Sequence, residues 1–167
     1  MKKLISLILV LSLAFLSSCS SESAGQITVA EAGYTCNANV SYGENFSSNV
    51  TLKAIGGGMF SVMINTPEDI AGLTFSFDNS EMSVSYNDLD SEMNISPEYG
   101  GFAELLNEIF LKFTTSRPTV PYKEGEYLLE GSNSEYSFKL TFTKEGFPLS
   151  LVIDDKDLKA EFSNWMY

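Results

Sequence analysis

The side chains able to do chemistry in this chain are few in kind: 2 cysteines, 22 acidic residues and no histidine among 167 residues. Without histidine there are no Ser/His or Cys/His nucleophilic pairs, and the usual zinc ligand and the commonest general base are missing. Two acidic stretches stand out: Asp88, Asp90 and Glu92 alternate, and Asp154, Asp155 and Asp157 crowd a turn. The first has part of the spacing of a calcium loop but lacks its glycine and its distal bidentate glutamate. The second reads as a solvated hairpin tip. No carboxylate pair is marked out by its context for acid–base work. The glycines at 56–58 are followed by no Gly-Lys-Ser/Thr and lead into a strand pattern, which excludes a phosphate loop. The chain therefore reads as a non-enzyme, with no catalytic residue, metal or cofactor expected.

The two cysteines differ in setting. Cys36 falls on the apolar face of a strand pattern, where a thiol is usually buried and inert. Cys19 closes a different pattern: Lys2 and Lys3, an apolar run from Leu4 to Leu16 broken only by Ser6 and Ser12, then Ser17 and Ser18. That is the order of a secretory signal, shorter than the roughly 20 apolar residues a spanning helix needs and without a basic stop-transfer flank. Leu16-Ser17-Ser18-Cys19 resembles the bacterial lipobox, which implies cleavage after residue 18 and acylation of Cys19. Buried acyl chains contribute about 0.8 kcal/mol per CH₂, enough to hold a protein at a membrane surface without a transmembrane helix. The expected location is extracytoplasmic: the outer face of the plasma membrane, or the outer membrane where the cell has one, to which Ser20 would direct it. With Cys19 acylated, Cys36 has no intramolecular disulfide partner.

The formal charge is −12, and losing Lys2 and Lys3 leaves 8 basic against 22 acidic residues, or −14. This disfavours nucleic acid and anionic lipid surfaces as partners. The remaining ~150 residues have the length of one domain with a real core, expected as a monomer. Residues 19–33 are expected to be the lipidated cysteine and a flexible tether, most clearly over the small polar run 20–26, and 34–167 the folded domain.

Period-two alternation begins at Tyr34, with Tyr34, Cys36, Ala38, Val40 and Tyr42 on one face. Further strands are expected over Phe46–Ile55, Met59–Asn65, Leu73–Phe77 and Met82–Tyr86, separated by short turns that make an antiparallel meander. The period then changes. Phe102, Leu105, Leu106, Ile109, Phe110 and Phe113 follow i, i+3, i+4, i+7, i+8, i+11, predicting an amphipathic helix over about 100–113. Ala103, Glu104, Asn107, Glu108 and Lys112 make up its other face. Thr114–Glu126, with Pro118, Pro121 and Gly125, reads as an extended loop. Four more strands follow: Tyr127–Glu130, Tyr136–Phe142, one with Leu149, Leu151 and Ile153 on its apolar face, and one with Leu158, Ala160 and Phe162. Trp165 and Tyr167 are expected to pin the end of the last. The fold class is α+β: about nine antiparallel strands in meander, covered by one helix.

Two phrases carry a family resemblance. Phe60-Ser61-Val62-Met63-Ile64-Asn65-Thr66-Pro67-Glu68 followed by Gly72-Leu73-Thr74-Phe75-Ser76-Phe77-Asp78 resembles a strand, Pro-containing turn and strand of the LolA/LppX-like lipoprotein carrier superfamily. Gly146-Phe147-Pro148-Leu149-Ser150-Leu151-Val152-Ile153 resembles its late hairpin. The resemblance spans roughly residues 34–165. It implies a strongly curved sheet, an unclosed half-barrel, around an apolar cavity lidded by helices. Mobile carriers of that family usually begin with a helix, for which Ile27–Gly33 is too short; an anchored chain is more similar to the membrane-bound acceptor or lipid-transfer members.

On that resemblance, Phe60, Phe75, Phe77, Phe102, Leu106, Ile109, Phe110, Phe138, Leu140 and Phe142 are the candidate lining of a cavity for a lipid or a lipoprotein acyl chain. An ordinary packed core uses the same residue types at the same spacing. Two functions therefore stand: an envelope lipoprotein that binds or transfers a hydrophobic ligand, and an envelope protein-interaction module with a closed core.

Overall fold

In the computed structural model, residues 26–31, 33–87, 89–90 and 97–167 are described, with the backbone alone for 89–90 and 97–99. The signal segment, Cys19, Asp88 and Glu92 lie outside the described residues. Among the described residues, twelve strands and one α-helix follow in chain order: β1 Gln26–Thr28, β2 Tyr34–Tyr42, β3 Phe46–Gly56, β4 Met59–Ile64, β5 Leu73–Asp78, β6 Glu81–Tyr86, β7 Leu89–Asp90, α1 Pro97–Ser116, β8 Thr119–Lys123, β9 Glu126–Ser132, β10 Ser137–Phe142, β11 Pro148–Ile153 and β12 Leu158–Met166. All belong to one sheet in the order β1-β8-β9-β10-β11-β12-β2-β3-β4-β5-β6-β7. Two meanders, β2–β7 and β8–β12, meet where β12 pairs with β2, and the sheet does not close.

Alternation fixes which face is buried. Along β2, Tyr34, Cys36, Ala38 and Val40 are buried, and their partners Ala54, Leu52 and Val50 on β3 and Phe60, Val62 and Ile64 on β4 continue the same face. The other face carries a side-chain ladder, in which Asn49 Nδ2 donates to Asn39 Oδ1 at 2.9 Å and Asn65 Nδ2 to Asn49 Oδ1 at 2.9 Å. This is the polar outer side expected of a half-buried antiparallel sheet.

Helix α1 lies across the apolar face, and its ring contacts require the sheet to bend. Phe102 meets Phe75 on β5, Phe110 meets Phe60 on β4 and Phe162 on β12, and Phe113 meets Phe138 and Phe142 on β10. A flat sheet would span about 29 Å between β5 and β10, at about 4.8 Å per strand. Phe102 and Phe113 are only about 17 Å apart along the helix, so the strands curve around it. Burying the six apolar side chains of α1 contributes about 1.5–3 kcal/mol each, gross of chain entropy.

Several expectations are corrected. The tether does not run to residue 33: Gln26–Thr28 pairs with Thr119–Pro121, Val29 is buried, and Ala30 N–H donates to Gly146 O at 2.8 Å. The loop expected over 114–126 is instead the end of α1 followed by β8, whose Val120 is fully buried. The prolines hid this strand. It is tolerated because β8 changes partner midway, pairing with β1 over 119–121 and with β9 only at Tyr122 and Lys123.

Leu149 does not share the inner face of β11. The register slips between Thr141 and Phe142, so that Ser150 and Pro148 face consecutive residues and Leu149 is extruded to 44% exposure. A comparable slip between Ser163 and Met166 turns Trp165 inward, to stack on Phe147 at 5.0 Å and meet Tyr34 edge-on at 5.2 Å. Trp165 thus pins the strand end, whereas Tyr167 touches Phe147 but remains 91% exposed. On α1, Ala103 and Asn107 are buried rather than on the solvent face, and the helix runs about three residues further at each end than its apolar spacing marks.

Candidate functional site

Nine of the ten candidate cavity residues are buried, and Phe138 is half-buried. They come together as one cluster between α1 and the sheet. The Phe110 ring stacks on Phe60 at 5.4 Å and meets Phe162 edge-on at 5.4 Å; Phe102 stacks on Phe46 at 4.8 Å. At the other end of the helix the Phe113 ring lies 5.9 Å from Phe138, which itself occupies the space over Gly131 that a Cβ there would need. Among the described residues, the crevice between α1 and β3–β4 amounts to ≈ 10 Å³, about one water. Ring against ring, the described side chains under the helix pack closely.

Cys36 lies in this interior, fully buried, and burial pushes its thiol up to about 12. It is protonated at neutral pH and unreactive. Tyr34, beside it on the same face, is likewise raised by burial and, secondarily, by Cys36. The acidic turn has a structural use: Asp155 Oδ2 accepts from Ser137 N–H at 2.9 Å and from Ser137 Oγ at 3.0 Å, which holds its carboxyl below the usual range. The turn thereby straps the start of β10.

Among the described residues, larger hollows lie at the surface, including one of ≈ 330 Å³ over β9–β11 and two beside the β5–β6 hairpin. One, of ≈ 290 Å³, runs between the outer flank of α1 and the β5–β6 hairpin, with Phe77, Met82 and Leu111 as its apolar lining and Glu104, Asn107 and Glu108 as its polar one. A second, of ≈ 470 Å³, lies on the other side of the same hairpin, where Ile55 and Met59 are exposed. The first is there because the sheet overhangs the helix. Phe77 and Met82 are direct partners across β5 and β6 and face the same way, yet Phe77 is buried and Met82 is 41% exposed.

The α1 flank of that groove is a built surface. Asn107 is buried, its Nδ2 donates to Asn79 O at the hairpin tip at 2.9 Å, and its Oδ1 has no hydrogen-bond partner. Glu108 Oε1 accepts from Lys112 Nζ at 2.6 Å and from Asn133 Nδ2 at 3.4 Å; the lysine bond is the main cause holding its carboxyl below the usual range. Tyr136, raised chiefly by burial and then by Glu108, sits beside that carboxylate with its hydroxyl outside hydrogen-bond geometry. Glu108 and Lys112 are legible in sequence as an i, i+4 pair. Asn107 carries no such signal, because what buries it is a hairpin 28 positions earlier.

Among the described residues, no helix is long and apolar enough to cross a membrane, and no group of three or more His, Cys, Asp or Glu is placed to hold a metal ion. A scan against protein-family models finds no match, and a search of curated proteins finds none either.

Proposed function

We propose that this chain is a lipid-anchored, non-enzymatic protein of the cell envelope whose domain is an interaction module built on a closed core. The observation that carries this reading is the close packing of the α1 rings on the sheet. A lipid or acyl-chain carrier needs an apolar space of several hundred Å³, and the crevice between the C-terminal half of α1 and β3–β4 is ≈ 10 Å³. An acyl chain could enter only by lifting α1, at the cost of exposing Phe102, Leu106, Ile109 and Phe110, all buried to 1% or less. The anchor rests on the Leu16-Ser17-Ser18-Cys19 pattern and its apolar run. The tether between it and β1 is then short, which keeps the module near the membrane surface.

The test is native mass spectrometry, with lipid extraction, of residues 20–167 purified from a bacterial host without detergent. An apo mass that takes up neither offered fatty acid nor phospholipid supports the module. Co-purified lipid that is lost in Ile109→Glu, with circular dichroism unchanged, overturns it in favour of the lipid-binding function of the LolA/LppX-like resemblance. The anchor is tested separately: radiolabelled palmitate should enter the full chain and not its Cys19→Ala variant.

A further inference from the structure

The two meanders place their turns alternately at the two ends of the sheet. At one end gather the β3–β4, β5–β6, β8–β9 and β10–β11 turns, the start of β2 and the end of β12. The first described segment runs along this end. Gln26 pairs with Pro121, just before the β8–β9 turn; Ala30 N–H donates to Gly146 O in the β10–β11 turn at 2.8 Å; and Gly33 N–H donates to Ala54 O, across from the start of β2, at 2.6 Å. The chain therefore enters the domain here.

Exposed apolar side chains collect at the same end. Ile55 and Met59 flank the β3–β4 turn, Tyr122 precedes the β8–β9 turn, Leu149 is extruded just after the β10–β11 turn, and Met166 and Tyr167 close the chain. All are at least 38% exposed; among the described residues outside β6, Met63 is the one other large apolar side chain as exposed, and it lies nearer the opposite end. Single apolar side chains on a surface carry no meaning, but these coincide with the point of attachment. Seven residues separate Gln26 from Cys19, a reach of at most about 25 Å fully extended. An acylated Cys19 therefore keeps this end beside the lipid, whereas the opposite end is further off by the length of β2, about 30 Å. On so short a tether the contact needs little affinity of its own. Tyr167, exposed in front of Trp165 and Phe147, is of the kind that settles in the headgroup layer. The turns at this end are acidic, with Asp78, Glu81, Glu124, Glu126 and Glu145 against Lys123 and Lys144, so an anionic surface repels it.

We infer that this end of the domain rests on the zwitterionic headgroup layer of the membrane that holds Cys19, through the exposed apolar side chains of its turns and of the C-terminus, and that the β2–β3 turn points away from that membrane. This rests on the lipid-anchor part of the proposed function and gives the anchored domain an orientation. Trp165 is the only tryptophan of the chain and is half-buried at this end. The experiment reconstitutes the acylated chain into phosphatidylcholine vesicles whose acyl chains are brominated near the headgroup. Trp165 should lose most of its emission relative to unbrominated vesicles, because a tether alone brings the end near the lipid but not into it. A tryptophan at the opposite end, Glu44→Trp in a Trp165→Phe background, should keep its emission.

Serine at Ile55, Met59 and Tyr167 together should abolish most of the quenching with circular dichroism unchanged, and adding phosphatidylglycerol should weaken it in a way that salt reverses. The comparison of brominated with unbrominated lipid uses the unaltered chain and stands whether or not a variant folds. An unquenched Trp165, equal quenching of the two tryptophans, or quenching that grows with phosphatidylglycerol would overturn this face. So would a dimer, detected by sedimentation in mild detergent, that dissociates in the triple serine variant, since a second copy would then cover this end. Palmitate on Cys19 with Trp165 unquenched removes the face and leaves the anchor standing; no palmitate on Cys19 removes both.

Discussion

Strands β5 and β6 are neighbours, present the same face to α1 and have opposite fates. Phe75 and Phe77 on β5 are buried at 0% and 4%, while their partners across the ladder are Val84, half-buried, and Met82, at 41%. The difference is the reach of the helix. A helix is about 10–12 Å across with its side chains, and the curved sheet brings β10, β12, β3, β4 and β5 within its range but leaves β6 at its margin. Inside that range, rings fill the space and backbone groups are paired. Beyond it, the same sheet presents exposed apolar side chains such as Met82. Core and groove are thus one surface, divided by where its cover ends.

The largest effect expected from this division is at Phe110, which is packed between β4 and β12. Phe110→Ala should cost about 3–5 kcal/mol, whereas Met82→Ala should stay within about 0.5 kcal/mol. Urea unfolding midpoints at matched m-values measure both. Comparable losses at the two sites would break the comparison, because they would mean that β6 is part of the core.

Gly146 tests the opposite edge, where the sheet is completed by β1. Its φ is +88°, and a Cβ there would run into the Thr28 carbonyl and approach Ala30 N at 3.0 Å. Backbone gives way less readily than a side chain, so Gly146→Ala should cost about 1–3 kcal/mol, from the positive φ and the displaced strand together. Hydrogen exchange should locate the loss at the Ala30 amide, which Gly146 O now accepts. An effect spread evenly over the domain would show that β1 is not a separately attached edge.

How much of this was legible follows from which signals are local. The strands β2, β3, β4, β5 and β12 and the apolar stripe of α1 stand in the sequence because alternation and the 3.6-residue period are properties of a few consecutive residues. Tyr34–Val40 and Phe102–Phe113 suffice. Strand β8 was hidden because Pro118 and Pro121 signal a loop unless a strand changes partner between them. Leu149 was misplaced because one extruded residue inverts the parity of everything before it. The candidate cavity residues were legible as a cluster, but their ring contacts were not: whether Phe60 and Phe110 touch depends on the curvature of the whole sheet. The groove beside β6 was not legible for the same reason. Asn107 becomes a buried amide only when the Asn79 turn folds over it.

The interior should also show itself at alkaline pH. The Cys36 thiol is pushed up to about 12 by burial from an ordinary value of 9.0, and Tyr34 is raised in the same direction. A raised folded-state pKa means that the unfolded chain loses its proton first. Stability is therefore unaffected below pH ~8.5 and falls as pH rises from there toward the folded value. Cys36→Ala should lose the thiol's share of that slope, measured by unfolding free energy between pH 8 and 10.5, and native Cys36 should resist iodoacetamide until the chain unfolds. Rapid alkylation of the native protein at pH 8 would mean that the core opens readily, and the contrast with the β6 edge would blur.

The smallest stability effect is expected on the groove flank. Lys112 and Glu108 are 56% and 42% exposed, so their pairing is screened by solvent, and Lys112→Ala should cost no more than about 0.5 kcal/mol. The lowered Glu108 pKa contributes stability that is present above the ordinary carboxylate range and lost as pH falls through the folded value. The small difference between wild type and Lys112→Ala should accordingly vanish in acid, and NMR titration should show the Glu108 carboxyl returning upward. A loss of more than about 1 kcal/mol in Lys112→Ala would place this ion pair with the core rather than on a solvent-screened flank.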